Sequence, residues 1–231
     1  MLRNLPLVCH LSTPQLSHHP RIALSATEPG KYGTKEYWDS MYTGVGRAAA
    51  DGLPADAYSW YCSWDVLEPF WSELVPSCSC RVLVPGVGND ATIPHLYDAG
   101  YHELTAFDYS PHAVERAAEL FGERDIALLC ADATQLPLPS ASFDAVLDKG
   151  ALDSIGIHSL ESLAAAVDEL ARTTAAGGVV VSISRALEAE EIRAPFSPSE
   201  WDVLRDGGLH ITEDGIVSTD LSANLFAWRR R

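Results

Sequence analysis

The run Arg81-Val82-Leu83-Val84-Pro85-Gly86-Val87-Gly88-Asn89-Asp90 constrains this chain more than any other stretch. A short apolar strand ends in a glycine-rich turn, and a helix-compatible stretch from Ala91 to Asp98 follows. Twenty-two positions after Gly86, Asp108 closes a second apolar run, Leu104-Thr105-Ala106-Phe107. Glycines at 86 and 88 let the backbone approach a ligand closely, and a carboxylate at the tip of the next strand grips ribose hydroxyls. This layout predicts a nucleoside-binding α/β domain. Asp108 also stands where it would cap the helix that follows, and the two roles are compatible.

Hydrophobic periodicity extends the pattern. Strands are predicted at 81–85, 103–108, 126–130, 143–148 and 178–184, and helices at 91–98, 111–121 and 159–174. Ser110 caps the 111–121 helix, with Pro111 in its first turn. Gly177-Gly178 is read as ending the 159–174 helix before Val179-Val180-Val181-Ser182-Ile183. Alternating strands and helices predict an α/β fold: a doubly wound, mostly parallel seven-stranded sheet covered on both faces. Upstream, Tyr32–Tyr42 and Tyr58–Leu74 read as helices rich in aromatic residues, with Asp51-Gly52-Leu53-Pro54 as a loop between them. Trp38 and Tyr42 share one helix face. Downstream, Ser197-Pro198 opens a short helix through Leu204. Strands near 209–217 and 222–229, joined through Ser218-Thr219-Asp220, then form a C-terminal antiparallel hairpin.

Composition narrows the class. With 231 residues and 47% hydrophobic content, one substantial core is expected, at 31–231. The formal charge of -16 repels phosphate backbones, so nucleic acid is not an expected partner. It suits either a basic protein partner or plain solubility. No apolar run approaches the ~18 residues of a membrane span. The five cysteines, Cys9, Cys62, Cys78, Cys80 and Cys130, lack zinc spacing, as do His95, His102, His112, His158 and His210. No metal is expected, and the cysteines read as reduced thiols. Residues 1–30 are acid-poor and broken by Pro6, Pro14, Pro20 and Pro29. They read either as a disordered leader or as an organelle transit peptide, so the expected compartment is cytoplasm or organelle accordingly. A monomer is expected.

The glycine turn also satisfies the relaxed dinucleotide pattern G-x-G-x-x-A at Gly86–Ala91, so a nicotinamide or flavin oxidoreductase is one reading. Three features oppose it. The motif begins some 80 residues in, behind two aromatic helices, and the chain has no Tyr-x-x-x-Lys pair. In addition, Asp132 follows the 126–130 strand. An acid there accepts a hydrogen bond from an adenine amino group, while the Ala133 amide reaches a ring nitrogen. That suits one adenosine lying across three strand tips.

The segment Asp132-Ala133-Thr134-Gln135-Leu136-Pro137 through Phe143-Asp144-Ala145-Val146-Leu147-Asp148-Lys149-Gly150-Ala151-Leu152-Asp153 resembles that of class I S-adenosylmethionine-dependent methyltransferases. Together with Glu36-Tyr37-Trp38-Asp39-Ser40-Met41-Tyr42 and Leu83-Val84-Pro85-Gly86-Val87-Gly88-Asn89, it is similar to the elongation factor 1-alpha lysine methyltransferases. The resemblance covers about residues 31–155 and extends more loosely to 184. It implies a Rossmann-like fold with S-adenosylmethionine as methyl donor. It also implies roles for individual residues. Gly86 and Gly88 pass close to the cofactor, Asp108 holds the ribose, and Tyr109 lies along the adenine. Asp132 and Ala133 read the adenine edge. Trp38, Tyr42 and Trp60 form an aromatic lid, although aromatics at helical spacing are commonly core. Lys149 lines the methionine end. Pro85 and Val87 depart from the leucine and cysteine usual in the family, and both stay apolar.

A lysine acceptor must lose a proton, from a free pKa of about 10.4. Asp148 and Asp153 are the candidate carboxylates for that contact, unless positioning alone suffices. The expected acceptor is a protein lysine, elongation factor 1-alpha first. The alternatives are a small-molecule acceptor or a non-catalytic scaffold that only binds the cofactor.

Overall fold

The computed structural model describes residues 30–43, 57, 59–211 and 223–231, with backbone alone at 208–211. The leader up to residue 29, the loop at 51–54 and the turn at 218–220 lie outside the described residues. Strands β1 (Val82–Pro85), β2 (Leu104–Asp108), β3 (Ala127–Cys130), β4 (Phe143–Lys149) and β5 (Thr174–Ser184) pair in parallel. Strand β6 (Trp201–Ile211) pairs antiparallel with β7 (Ala223–Arg230), which pairs antiparallel with β5. The order is β3-β2-β1-β4-β5-β7-β6, the seven-stranded, mostly parallel sheet with an antiparallel end that the sequence predicts. The direction of winding reverses between β1 and β4, and a crevice opens at such a point.

Side chains alternate across the sheet with period two. Val82, Val84, Ala145, Leu147, Val181 and Ile183 face one layer, with Leu67 and Trp71 of α2 (Trp64–Leu74), Ile93 and Leu96 of α3 (Thr92–Asp98), and Ala117 and Phe121 of α4 (Pro111–Phe121). Leu83, Val146 and Val180 face the other, with Leu152 of α5 (Ala151–His158), Leu163, Val167 and Leu170 of α6 (Leu160–Thr173), and Ile192 of α7 (Ala189–Arg193). Ser110 caps α4 by accepting the Ala113 N–H at 3.3 Å, as predicted. No helix among the described residues is long and apolar enough to cross a membrane.

Several boundaries differ from expectation. The first helix is split: a 3-10 turn at Lys31–Gly33 precedes α1 (Lys35–Thr43), because Thr34 is extended and its hydroxyl accepts the Tyr37 N–H. The second aromatic helix begins at Trp64, since Tyr61 has φ 65°, and Tyr58, its expected start, lies outside the described residues. Gly177-Gly178 does not end a helix. Helix α6 stops at Thr173, and the glycines sit inside β5, where the pairing with β4 shifts register. Gly177 has φ 81°, which such an irregularity favours. The helix predicted from Ser197 to Leu204 is absent. Ser197 carbonyl instead accepts Glu200 and Trp201 N–H groups, and β6 starts at Trp201. Tertiary packing overrides propensity there. Trp228 stacks on Phe196 with centroids 3.7 Å apart, and Trp201 meets Phe196 edge-on at 5.4 Å.

Two short helices, α5 and α7, have no counterpart in the sequence reading. Helix α7 is closed by a capping box between Glu188 and Glu191. Helix α5 is held by Asp148 at the tip of β4. One carboxylate oxygen accepts the Ala151 and Leu152 N–H groups at 2.9 and 3.1 Å, and the other accepts the Ser182 hydroxyl of β5 at 2.5 Å. Asp148 is fully buried, and that burial pushes its carboxyl up to about 7 against the pull of these donors.

Two outcomes are expected. Trp228→Ala removes a fully buried stacked ring and should cost ~3–5 kcal/mol in denaturant unfolding. By contrast, Val203→Thr on the exposed edge should stay within about 0.5 kcal/mol. An equal effect of the two would refute this account of the C-terminal core. The second concerns Asp148, whose folded-state pKa lies above its unfolded value. The native state therefore binds more protons between about pH 4 and 7, and this group's contribution to stability falls as pH rises through that window. Asp148→Asn lacks this loss, so the stability difference should move in the variant's favour from pH 4 to 7. A difference independent of pH would contradict the raised pKa.

Candidate functional site

A cleft of about 470 Å³ opens over the carboxyl ends of β1 to β4, within the roughly 300–1,000 Å³ usual for small-ligand sites. Gly86 (φ 56°) and Gly88 (φ 51°) form its floor, in the left-handed region that favours glycine. A β-carbon on Gly86 would stand 2.5 Å from the Ala151 side chain, and one on Gly88 would overlap the Tyr42 hydroxyl. Both positions therefore need glycine for backbone angle and for space.

Asp108 sits at the tip of β2, buried, with its carboxylate bridging two segments. One oxygen accepts the Gly88 N–H at 3.0 Å and the other the Ser110 N–H at 2.9 Å. Burial pushes this carboxyl up to about 6, opposed by the N–H donors of Ser110, Gly88 and Tyr109. Ser110 donates its hydroxyl to Asp39 of α1 at 2.5 Å. Asp39 also pairs with Lys35 at 2.6 Å, and these partners hold its carboxyl below the usual range despite partial desolvation. Arg116 of α4 donates to the Tyr42 carbonyl at 3.0 Å. Helix α1 is thus tied to the element that carries the β2 tip.

Above the floor lie the predicted lid residues. Trp38 and Tyr42 stack at 6.0 Å, and Trp60 meets Trp38 edge-on at 5.6 Å. The Trp38 indole donates to the Tyr32 carbonyl at 2.7 Å. Tyr42 is buried, which raises its hydroxyl pKa well above the ordinary value, with Asp108 adding to the effect. Tyr109 lines the cleft half-exposed, and the Lys35 ammonium stands 5.9 Å from its ring. Asp132 and Ala133 line the cleft beyond β3. Asp132 is exposed, and one of its oxygens accepts the Thr134 N–H and hydroxyl, both at 2.8 Å. That loop is braced from α6. Glu169 accepts the Leu136 N–H at 2.7 Å, while Arg172 donates to the Leu136 and Leu138 carbonyls.

Lys149 is not a solvated lysine. Its ammonium is buried at the tip of β4 and donates to the Cys62 carbonyl at 2.8 Å and the Thr92 hydroxyl at 2.5 Å. Asp90 neutralises it at 3.0 Å. Both charged groups line the cleft.

The two candidate carboxylates lie differently. Asp148 does not line the cleft, and its oxygens are spent on α5 and β5 as described. Asp153 does line the cleft, buried in the first turn of α5. One oxygen accepts the Ser184 hydroxyl at 2.6 Å. The other accepts the Tyr61 hydroxyl at 2.6 Å and the Arg185 and Ala186 N–H groups at 2.8 and 3.1 Å. Three donors converge on one of its oxygens, so Asp153 anchors Tyr61 and the chain after β5 to α5.

Sequence reasoning missed Asp90, Asp39 and Tyr61 as parts of this site. Asp90 ends the glycine motif and carried a visible signal. Tyr61 carried none beyond its place in an aromatic run. Among the described residues, no group of three or more histidine, cysteine, aspartate or glutamate side chains converges to hold a metal ion.

Comparison with known proteins accords with this geometry. A methyltransferase domain model matches residues 83–182. The mouse eEF1A lysine and N-terminal methyltransferase is 29% identical over 182 residues, covering 75% of this chain. The chain spans about a quarter of that relative's length, 25%. Mouse EEF1A lysine methyltransferase 4 is 31% identical over 202 residues, covering 79% of this chain and 74% of that protein. Among solved structures, magnesium protoporphyrin IX methyltransferase of Synechocystis, with S-adenosylmethionine bound, superposes with a TM-score of 0.55 at 17% identity. It covers 73% of this chain and 79% of that one, and at this identity it speaks to the fold alone. Placed by its glycine turn, its β2-tip carboxylate and these relatives, the chain belongs to the S-adenosylmethionine-dependent methyltransferases, in the group of the elongation factor 1-alpha lysine methyltransferases.

Proposed function

We propose that this protein transfers a methyl group from S-adenosylmethionine to a protein lysine, with elongation factor 1-alpha the first acceptor to test. The observation that carries the cofactor half is the cradle of Gly86, Gly88 and Asp108. Two glycines admit no β-carbon, and a buried carboxylate stands beside them. An ionised carboxylate has about four lone-pair sites, so Asp108 retains acceptor capacity for hydroxyls beyond its two N–H donors. The acceptor half rests on the similarity to elongation factor 1-alpha lysine methyltransferases. The acidic surface, -16 in total, fits a basic protein partner.

The bound cofactor supplies a sulfonium methyl whose carbon–sulfur bond breaks, with its electron pair left on sulfur, as a neutral amine forms the new nitrogen–carbon bond. The chain's own residues align and desolvate. Asp108 and Asp132 hold the nucleoside end at the tips of β2 and β3. Asp90 and Lys149 present paired opposite charges toward the amino-acid end. Trp38, Tyr42 and Trp60 exclude water and offer aromatic faces, worth ~1–2 kcal/mol to a desolvated cation. Alignment of this kind is the principal service that an activated methyl donor needs.

Incubation with labelled S-adenosylmethionine and purified elongation factor 1-alpha should place label on a lysine, as read by mass spectrometry. Label appearing only in small molecules would reject the protein acceptor. Asp108→Asn should weaken S-adenosylhomocysteine binding roughly 10–100-fold by calorimetry, the scale of losing charge-assisted hydrogen bonds. Binding by the wild-type chain should also weaken as pH falls below about 6, because protonating Asp108 removes an acceptor for the ribose. The asparagine variant should lack that pH dependence, and an identical profile in both would remove Asp108 from the ligand contact.

A further inference from the structure

Tyr61 is one of two non-glycine residues with positive φ among the described residues. Its ring lies flush against Gly150, where an added β-carbon would stand 2.9 Å from the ring edge. Its hydroxyl donates to Asp153 at 2.6 Å. Asp153 is itself fixed by Ser184, Arg185 and Ala186. Backbone strain of this kind costs free energy and persists where the surroundings over-determine it, most often at functional sites. A tyrosine that only filled space beside Gly150 would not need the hydroxyl, and Asp153 already has three other donors. Burial and the adjacent Asp153 charge hold the Tyr61 hydroxyl protonated, well above its ordinary range.

The position of Tyr61 along the cleft gives it a direction. Asp132 lies beyond β3, Asp108 at β2, the glycine turn at β1, and Lys149 with Gly150 at β4. These positions account for a nucleoside and its amino-acid extension. The wall left over lies past β4 and includes Tyr61, Asp153, Ile157, His158 and Ala186. An acceptor in line with the methyl must approach from that side.

We infer that Tyr61 is the residue that receives the acceptor nitrogen. Its proton is committed to Asp153, so its oxygen presents only lone pairs to the cleft and accepts a hydrogen bond from an amine N–H. The group it suits is the amine of the lysine acceptor proposed above, whose own lone pair, once the amine is neutral, is then turned toward the methyl. Asp153 is a positioning residue that sets the orientation of that oxygen. The inference rests on the methyltransferase reading above and adds the acceptor contact to it.

Tyr61→Phe tests it, because the variant keeps the ring on Gly150 and removes the oxygen alone. Saturation-transfer NMR with n-butylamine, a truncated lysine side chain, reads the contact in protein saturated with S-adenosylhomocysteine. The wild-type chain should contact n-butylamine and Tyr61→Phe should lose that contact, while both bind S-adenosylhomocysteine within about twofold of each other. On elongation factor 1-alpha, kcat should fall by about tenfold or more with KM for S-adenosylmethionine unchanged. Retained n-butylamine contact in Tyr61→Phe, or no contact in the wild-type chain, overturns the inference and leaves the cofactor reading standing. A parallel loss of S-adenosylhomocysteine affinity overturns it too, by making Tyr61 a cofactor or folding residue. A wild-type chain that binds no S-adenosylhomocysteine fails at the earlier step, and both readings fall together.

Discussion

The bridge from the Asp108 carboxylate to the Gly88 and Ser110 N–H groups is the contact on which the rest of the site depends. It joins the turn after β1 to the tip of β2, extending the backbone bond in which the Val87 N–H donates to the Phe107 carbonyl at 3.0 Å. The register of β1 on β2 brings them level, with Pro85 opposite Phe107. Once Asp108 is placed, Ser110 is placed, and with it the start of α4 and the anchor for Asp39 of the lid helix. A buried carboxylate is costly unless its lone pairs are met. The Ser110 and Gly88 N–H donors meet part of that need, while burial still pushes the carboxyl up to about 6.

A second constraint is the buried ammonium of Lys149. It draws on a carbonyl at Cys62 and, from the turn after β1 and the start of α3, a carboxylate at Asp90 and a hydroxyl at Thr92, so its partners come from two separate parts of the chain. Removing one partner from such a pair leaves an uncompensated buried charge, which is more damaging than replacing the pair whole. The arrangement therefore ties together the segment before α2, the start of α3 and the tip of β4.

The parts of this architecture legible in the sequence were those set by local pattern. Val82 to Pro85 are continuously apolar because β1 is covered on both faces. Ser110-Pro111 started a helix where capping chemistry said one would start. Gly86, Gly88 and Asp108 were identified as neighbours because a strand, a turn and a strand tip have fixed lengths. What stayed hidden was set by distant contacts. Helix α5 has a weak local signal and is held by Asp148 reaching across to Ser182 of β5. Trp201 reads as part of a helix until Phe196 and Trp228 are placed beside it. Asp148 and Asp153 looked alike as candidate bases, since only the fold reveals where each one's lone pairs are spent.

The segments before β1 supply part of the cleft. The region that matches the methyltransferase domain model, residues 83–182, contains the cradle but neither Trp38, Tyr42, Trp60 nor Tyr61. Those four line the cleft from outside it. Cys62, next to Tyr61, holds Lys149 through its carbonyl, so the wall past β4 and the buried ammonium are supported by consecutive residues of one strained segment. The cradle of Gly86, Gly88 and Asp108 thus comes from the tips of the sheet, while the Tyr61 contacts to Gly150 and Asp153 come from the segment laid over them.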